Sequence, residues 1–139
     1  MRDFLSLALQ RQSDRAFDAT RPVEKEKLER ILEAARMAPS ACNAQPWHFI
    51  VVDDPELKNQ VADATSSKLI GINHFTKQAP VHIVVVEESV NLSSGFGSLV
   101  KDKKFAHVDI GITAAHLCLA AEDEGLGTCI IGWFNESKV

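Results

Sequence analysis

The chain has 139 residues, enough for one domain and too few for two well-built ones. Hydrophobic residues make up 45% and charged residues 24%, which excludes disorder by composition, collagen-like repeats and a coiled coil. Fifteen Lys and Arg against 19 Asp and Glu leave a net charge of −4, and aromatics are limited to seven Phe and two Trp, so no nucleic-acid partner is expected.

The N-terminal apolar run, Phe4 to Leu9, is short, broken by Ser6 and followed by no small-residue cleavage site, so no signal peptide is expected. Asp3 to Gln10 reads as a short amphipathic helix. Thr20-Arg21-Pro22 is a helix-start signal. Leu28, Ile31, Leu32 and Ala35 then recur at helical spacing, and that helix must end near Ala38 because Pro39 disfavours helical geometry before it. Trp47 to Val52 reads as a strand. Asp54-Pro55 is a cap with a first-turn proline, which opens a helix to about Ala64.

Val81 to Val86 is a nearly continuous β-branched run and predicts a strand buried on both faces. Asn91 to Ser98 is a Gly/Ser-rich loop. Val108 to Glu122 is apolar nearly all round, which predicts a buried central helix ended by Gly125. The longest largely apolar stretch, Gly111 to Ala121, falls short of the roughly 20 residues that a bilayer crossing needs, so no membrane partner is expected. Thr128 to Trp133 predicts another short strand. Asn135 is placed to cap one more helix, yet the chain stops four residues later, as a fragment would.

Charge is unevenly placed. All six arginines (2, 11, 15, 21, 30 and 36) fall in the first 36 residues, and from Ala106 onward the only cation is Lys138. Within Arg11-Gln12-Ser13-Asp14-Arg15, two guanidiniums and a hydroxyl can converge on one phosphate; the alternative is a solvated helix end. The stretch Pro39-Ser40-Ala41-Cys42-Asn43-Ala44-Gln45-Pro46 combines small residues with two side-chain amides. It suits the edge of a flat polar heteroring, or an ordinary helix-to-strand loop. Gly132, near a strand end, implies close approach of a ligand or another chain segment. Gly95-Phe96-Gly97-Ser98 is too short and misplaced for a dinucleotide loop.

Other chemistry is not expected. Cys42, Cys118 and Cys129 form no CxxC pair, which argues against a zinc knuckle and for a reduced, cytoplasmic setting. The five histidines show no HExxH pattern. His107, Asp109 and His116 are conceivable metal ligands, but Asp109 and His116 lie seven apart, two helical turns, too far for one ion. Cys42 or Cys118 with a distant His would make a nucleophile pair in principle, but buried structural thiols are the commoner case.

Four ordered segments carry a resemblance: RQSDRAFD (11–18), EAARMAPSACNAQPWHFIVV (33–52), APVHIVVV (79–86) and HVDIGITAAHLCLAAEDEGLGTCIIGWF (107–134). Together they resemble the nitroreductase family of FMN-dependent oxidoreductases along essentially the whole chain. The resemblance implies an α+β fold in one domain, residues 1–139. That fold is a three-layer α-β-α sandwich with a mixed or antiparallel central sheet and a buried central helix at a homodimer interface.

The resemblance also implies a site. Arg11, Ser13 and Arg15, with Gln12 nearby, would grip the FMN phosphate. Pro39, Ser40, Ala41, Asn43 and Gln45 would edge the flavin ring from the second subunit. Ile131 and Gly132, with Ile130, would offer backbone donors near flavin N5, and Asn73 sits where some members place a polar contact. It implies ping-pong hydride transfer from NAD(P)H through FMN to a small electron-poor acceptor such as a nitroaromatic, quinone or enone. No catalytic residue is then required, because the flavin does the chemistry.

Family members usually continue past this point with a further helix, a strand exchanged onto the partner and late basic residues; if the chain ends at Val139, FMN affinity and dimer stability are in doubt, and if the sequence is a fragment the assignment stands unchanged. Two readings compete with the enzyme. A flavin-binding protein without turnover would share every motif and lack NAD(P)H oxidation. A non-flavin domain that docks an acidic partner through its arginines would take up no flavin.

Overall fold

The computed structural model describes residues 3–67, 71–88 and 105–139. The loop expected over Asn91 to Ser98 lies outside the described residues. Helix α1 spans Phe4–Gln10, and the Asp3 carboxylate accepts from the Ser6 N–H at 3.1 Å as its N-cap. Phe4, Leu5 and Leu9 stay exposed.

Helix α2 spans Lys25–Arg36, three residues later than Thr20-Arg21-Pro22 suggests. The reason is local. The Thr20 N–H and hydroxyl donate to the Asp18 carboxylate at 3.0 and 2.6 Å, which closes a turn there instead of a helix start. The helix stops at Arg36, ahead of Pro39, as the proline requires.

Strand β1, Trp47–Val52, pairs antiparallel with β2, His82–Glu87, in the register Phe49 opposite Val85. Helix α3, Pro55–Thr65, lies between them in sequence, and the Asp54 carboxylate caps it by accepting from Glu56 and Leu57 N–H. Strand β2 is half-buried, not covered on both faces. Ile83 and Val85 point to the core, whereas Val86 is exposed.

Helix α4, Phe105–Asp123, packs antiparallel along α2. Ile31, Ala35, Leu117 and Ala121 form the core between them, and Phe49, Ile83 and Val85 close it from the sheet. Thr113 is fully buried and donates its hydroxyl to the Ala35 carbonyl at 2.7 Å. Gly125 adopts φ 74°, and the N–H groups of Gly125 and Leu126 donate back to Glu122 and Ala121 at 3.0 and 2.8 Å. This paired closure satisfies the last carbonyls, and Leu126 folds onto the core.

The expectation of a helix buried all round needs correction. Asp109, Thr113, Leu117, Cys118 and Ala121 are buried, but Val108 is 60% exposed, and Gly111 and Ala115 are also open. Among the described residues only one layer lies against α4, so its second apolar face is uncovered there.

Thr128 to Trp133 is not a strand either. It makes one parallel bridge, Ser13 with Thr128, and continues as irregular backbone. An extended segment becomes a strand only beside a partner, and none flanks it among the described residues. Past it, the Asn135 N–H donates to the Ala64 carbonyl at 2.9 Å, while the Asn135 side chain accepts from the Lys138 N–H at 3.1 Å in a cap-like turn. The layers are therefore α2 and α4 on one side of the β1–β2 pair, while α3 packs with the turn His74–Gln78. This is an α+β arrangement.

Candidate active site

Two halves of a candidate site sit at opposite ends of α4. The first half follows α1. Arg11 ends that helix by donating its N–H to the Leu7 carbonyl at 3.0 Å. Ser13 then runs beside Thr128, and the Asp14 N–H donates to the Thr128 carbonyl at 2.8 Å. The two sequence motifs, separated by more than a hundred residues, thus meet.

Gly127 makes that meeting possible. A Cβ there would lie 2.9 Å from the Asp14 carboxyl carbon, closer than real contacts allow. Gln12 donates its side-chain amide to the Asp14 carboxylate at 2.9 Å, and Arg15 reaches the Ser13 carbonyl at 3.4 Å. Neither Arg11 nor Arg15 forms an ion pair among the described residues. Beyond the bridge, the N–H groups of Ile130, Ile131 and Gly132 donate to nothing among the described residues. Ile130 is 65% exposed, and a Cβ at Gly132 would meet open space.

The second half is the Pro39–Gln45 loop at the other end of α4. Ala41–Asn43 makes one tight turn, and Cys42, Asn43 and Gln45 adopt φ of 53°, 54° and 47°. Left-handed backbone at three non-glycine residues is strain that the surroundings must hold. The Ser40 hydroxyl accepts from the Gln45 N–H at 2.9 Å, and the buried Asp109 carboxylate accepts from the Ala41 N–H. Sixteen residues of helix and cap separate Asp109 from Gly125, about 24 Å at the rise of an α-helix.

Asn73 lies in neither half. It caps the turn His74–Gln78 with φ 57°, and its side-chain amide donates to the Thr65 carbonyl at 2.9 Å. The three residues weighed as metal ligands point to separate partners. His107 Nδ1 lies 2.6 Å from Glu87, Asp109 holds Ala41, and His116 Nδ1 meets the Ala34 carbonyl at 3.2 Å. Among the described residues no group of three ligands is arranged for a metal ion. All three cysteines are free thiols, and burial pushes the Cys129 thiol up. An open groove of about 570 Å³ runs from Gln45 along Trp47 and Phe49 to Leu32 and Arg36 of α2, outside the Arg11–Arg15 segment.

These features define an α+β protein that carries, among the described residues, an arginine pair without ion-pair partners, a row of backbone N–H groups without acceptors and a separate strained loop. The Nitroreductase family model matches residues 8–73 and 68–139, and the chain belongs to that family. An oxygen-insensitive NADPH nitroreductase of Helicobacter pylori is 26% identical over 155 residues, covering 94% of this chain and 74% of that protein. The crystal structure of a nitroreductase family protein from Clostridium novyi NT superposes with a TM-score of 0.83 at 33% identity, over 99% of this chain and 73% of that one. An FMN-dependent nitroreductase of Clostridium difficile R20291 gives a TM-score of 0.72 at 32% identity, over 91% and 64%.

Proposed function

We propose that this chain is an FMN-dependent NAD(P)H oxidoreductase that reduces a small electron-poor acceptor. The observation that carries the reading is the pairing of Ser13 with Thr128. It joins the arginine segment to the stretch of free N–H groups in one continuous donor surface. That surface fits FMN. Two guanidiniums without carboxylate partners among the described residues and the Ser13 hydroxyl suit a phosphate dianion, with Gln12 supporting the turn. The N–H groups of Ile130, Ile131 and Gly132, unpaired among the described residues, suit the polar edge of the ring. Asn73 lies outside this surface; its side-chain amide donates one N–H to the Thr65 carbonyl, which leaves its oxygen and a second N–H for any contact with the ring.

Bound FMN would supply hydride transfer from NAD(P)H to an acceptor such as a nitroaromatic, quinone or enone, in ping-pong order. The protein's part is to orient the ring, leave one face open to both substrates and stabilise negative charge near it with N–H and guanidinium donors.

The distance between the two half-sites supports a homodimer. Pro39, Ser40, Ala41, Asn43 and Gln45 sit about 24 Å along α4 from the arginine end, so a second copy would bring this loop to the first copy's ring. The uncovered faces of α1 and α4 are apolar and suit that contact. Three free thiols fit a reducing, cytoplasmic compartment. Among the described residues no helix is long and apolar enough to cross a membrane.

The test is the visible spectrum of purified protein supplied with FMN, before and after anaerobic NADPH and then NADH. A bound flavin that bleaches supports the enzyme. A folded protein that takes up no FMN overturns the reading, and a flavin that neither nucleotide reduces leaves a binding protein without turnover.

A further inference from the structure

The site as proposed does not use Asp109, which is 4% exposed on α4. Both of its oxygens accept from one donor, the Ala41 N–H, at 3.1 and 3.2 Å. The other buried residues of this helix are apolar or, like Thr113, bonded to the neighbouring helix. A carboxylate in such a place is costly unless its hydrogen bond is needed.

That bond holds a loop that does not otherwise rest in a favoured conformation. Cys42, Asn43 and Gln45 are all left-handed and none is glycine. Among the described residues the remaining bonds of the loop are local. Asn43 N–H donates to the Ser40 carbonyl and Ala44 N–H to the Ala41 carbonyl, both at 3.0 Å, and Gln45 N–H donates to the Ser40 hydroxyl. They set the shape of the loop but not its position on α4. The Asp109 bond sets that position, 68 residues away in sequence.

We propose that Asp109 is a positioning residue for the flavin edge, seating the Pro39–Gln45 loop so that Asn43 and Gln45 meet the ring at a fixed place. This rests on the function proposed above. Asp109 touches no substrate or cofactor itself; it acts through the Ala41 N–H. A charged acceptor suits the task because its hydrogen bonds are stronger than those of a neutral one. A merely structural carboxylate would change stability and leave the properties of the bound ring alone.

The experiment compares wild type, Asp109→Ala and Asp109→Asn as full chains, by amide hydrogen exchange without flavin and by FMN binding in both redox states. In Asp109→Ala, exchange over residues 39–47 should rise at least tenfold while α2 is unchanged. The ratio of dissociation constants for oxidised and reduced FMN should change at least fivefold. Asp109→Asn should fall between the two, because its amide oxygen still accepts from Ala41.

Wild-type exchange in the loop, or an unchanged ratio, overturns the proposal. Should Asp109→Ala fail to fold, Asp109→Asn decides: faster loop exchange with a shifted ratio supports it, and wild-type values in either readout overturn it. A wild type that binds no FMN overturns the functional reading and, with it, the flavin-edge role. The exchange arm, read without flavin, shows separately whether Asp109 holds the loop.

Discussion

Ser13 and Thr128 lie side by side as a parallel bridge, with the Asp14 N–H donating to the Thr128 carbonyl at 2.8 Å. A residue just past the first helix is thereby fixed to one just past the last. The closure of α4 at Gly125 aims the chain back at that point, and Gly127 lets it pass against Asp14. The arginine segment and the N–H groups of Ile130 to Gly132 become neighbours through backbone geometry rather than through side-chain packing.

Gly127→Ala tests that crossing. The added methyl would overlap the Asp14 carboxylate, which must swing away and release Gln12. Overpacking of this kind costs about 1–3 kcal/mol. A urea midpoint lowered accordingly, with weaker FMN binding, is the expected outcome; wild-type stability and affinity would show that the crossing is not tight.

Arg11→Ala and Arg15→Ala should each weaken FMN binding by about 1.5–3 kcal/mol, the usual worth of a hydrogen bond to a charged group. Neither guanidinium is engaged by a carboxylate among the described residues, so removing it breaks no ion pair there. Fluorescence titration of FMN measures the change, and urea unfolding should leave stability nearly as it was. An unchanged dissociation constant in one variant removes that arginine from the phosphate site.

Much of the fold was legible because the deciding contacts are local. Asp54-Pro55 caps α3 within three residues, Pro39 limits α2, and Gly125 ends α4. Thr128 to Trp133 misled because β propensity describes a residue's fitness for a sheet, not the presence of a neighbouring strand. The half-open α4 misled for a related reason: apolar residues all round a helix show that it is to be covered, not by which chain. At the site, the arginine cluster and the proline-serine loop were visible as motifs, but their positions at opposite ends of α4 were not. In the sequence Asp109 is a conceivable metal ligand beside His107 and His116 and a member of the segment 107–134 that carries the family resemblance. Its actual partner, Ala41, contributes a backbone N–H that no side-chain pattern reveals, and the available signal was a lone acid on an apolar helix face.

Gly132→Val probes the ring half of the site. A side chain at Gly132 meets nothing within 4 Å in the single chain, so the substitution should leave the fold intact. Its branched side chain would occupy the space where the ring is proposed to lie. Circular dichroism and the thermal midpoint should match wild type while FMN occupancy falls at least tenfold. Full occupancy in a folded variant would move the ring elsewhere.

Thr113→Val probes the α2–α4 contact instead. The fully buried hydroxyl donates to the Ala35 carbonyl at 2.7 Å, and valine fills nearly the same space without a donor. The loss should be about 1 kcal/mol, the net worth of such a bond. A urea midpoint unmoved within error would mean that the Ala35 carbonyl finds full compensation in the Ala38 N–H that already donates to it at 3.1 Å.

His82 sets a pH dependence whose sign can be worked out. Among the described residues its buried Nε2 has no hydrogen-bond partner, and burial first, then the Lys58 charge, lowers its pKa below the ordinary 6.5 despite the opposing influence of the Thr76 backbone. The unfolded chain therefore takes up a proton at a pH where the folded chain still resists it. Between the two pKa values the unfolded state binds more protons, so stability rises with pH in that window. The contribution is complete above about pH 6.5 and is lost as pH falls toward the folded value. Thermal midpoints of wild type and His82→Val, measured from pH 7.5 down to 5.0, should diverge in slope: wild type loses stability below pH 6.5, and the variant loses less. Parallel profiles would mean that β2 admits the imidazolium, with water or a side-chain shift supplying the partner that Nε2 lacks.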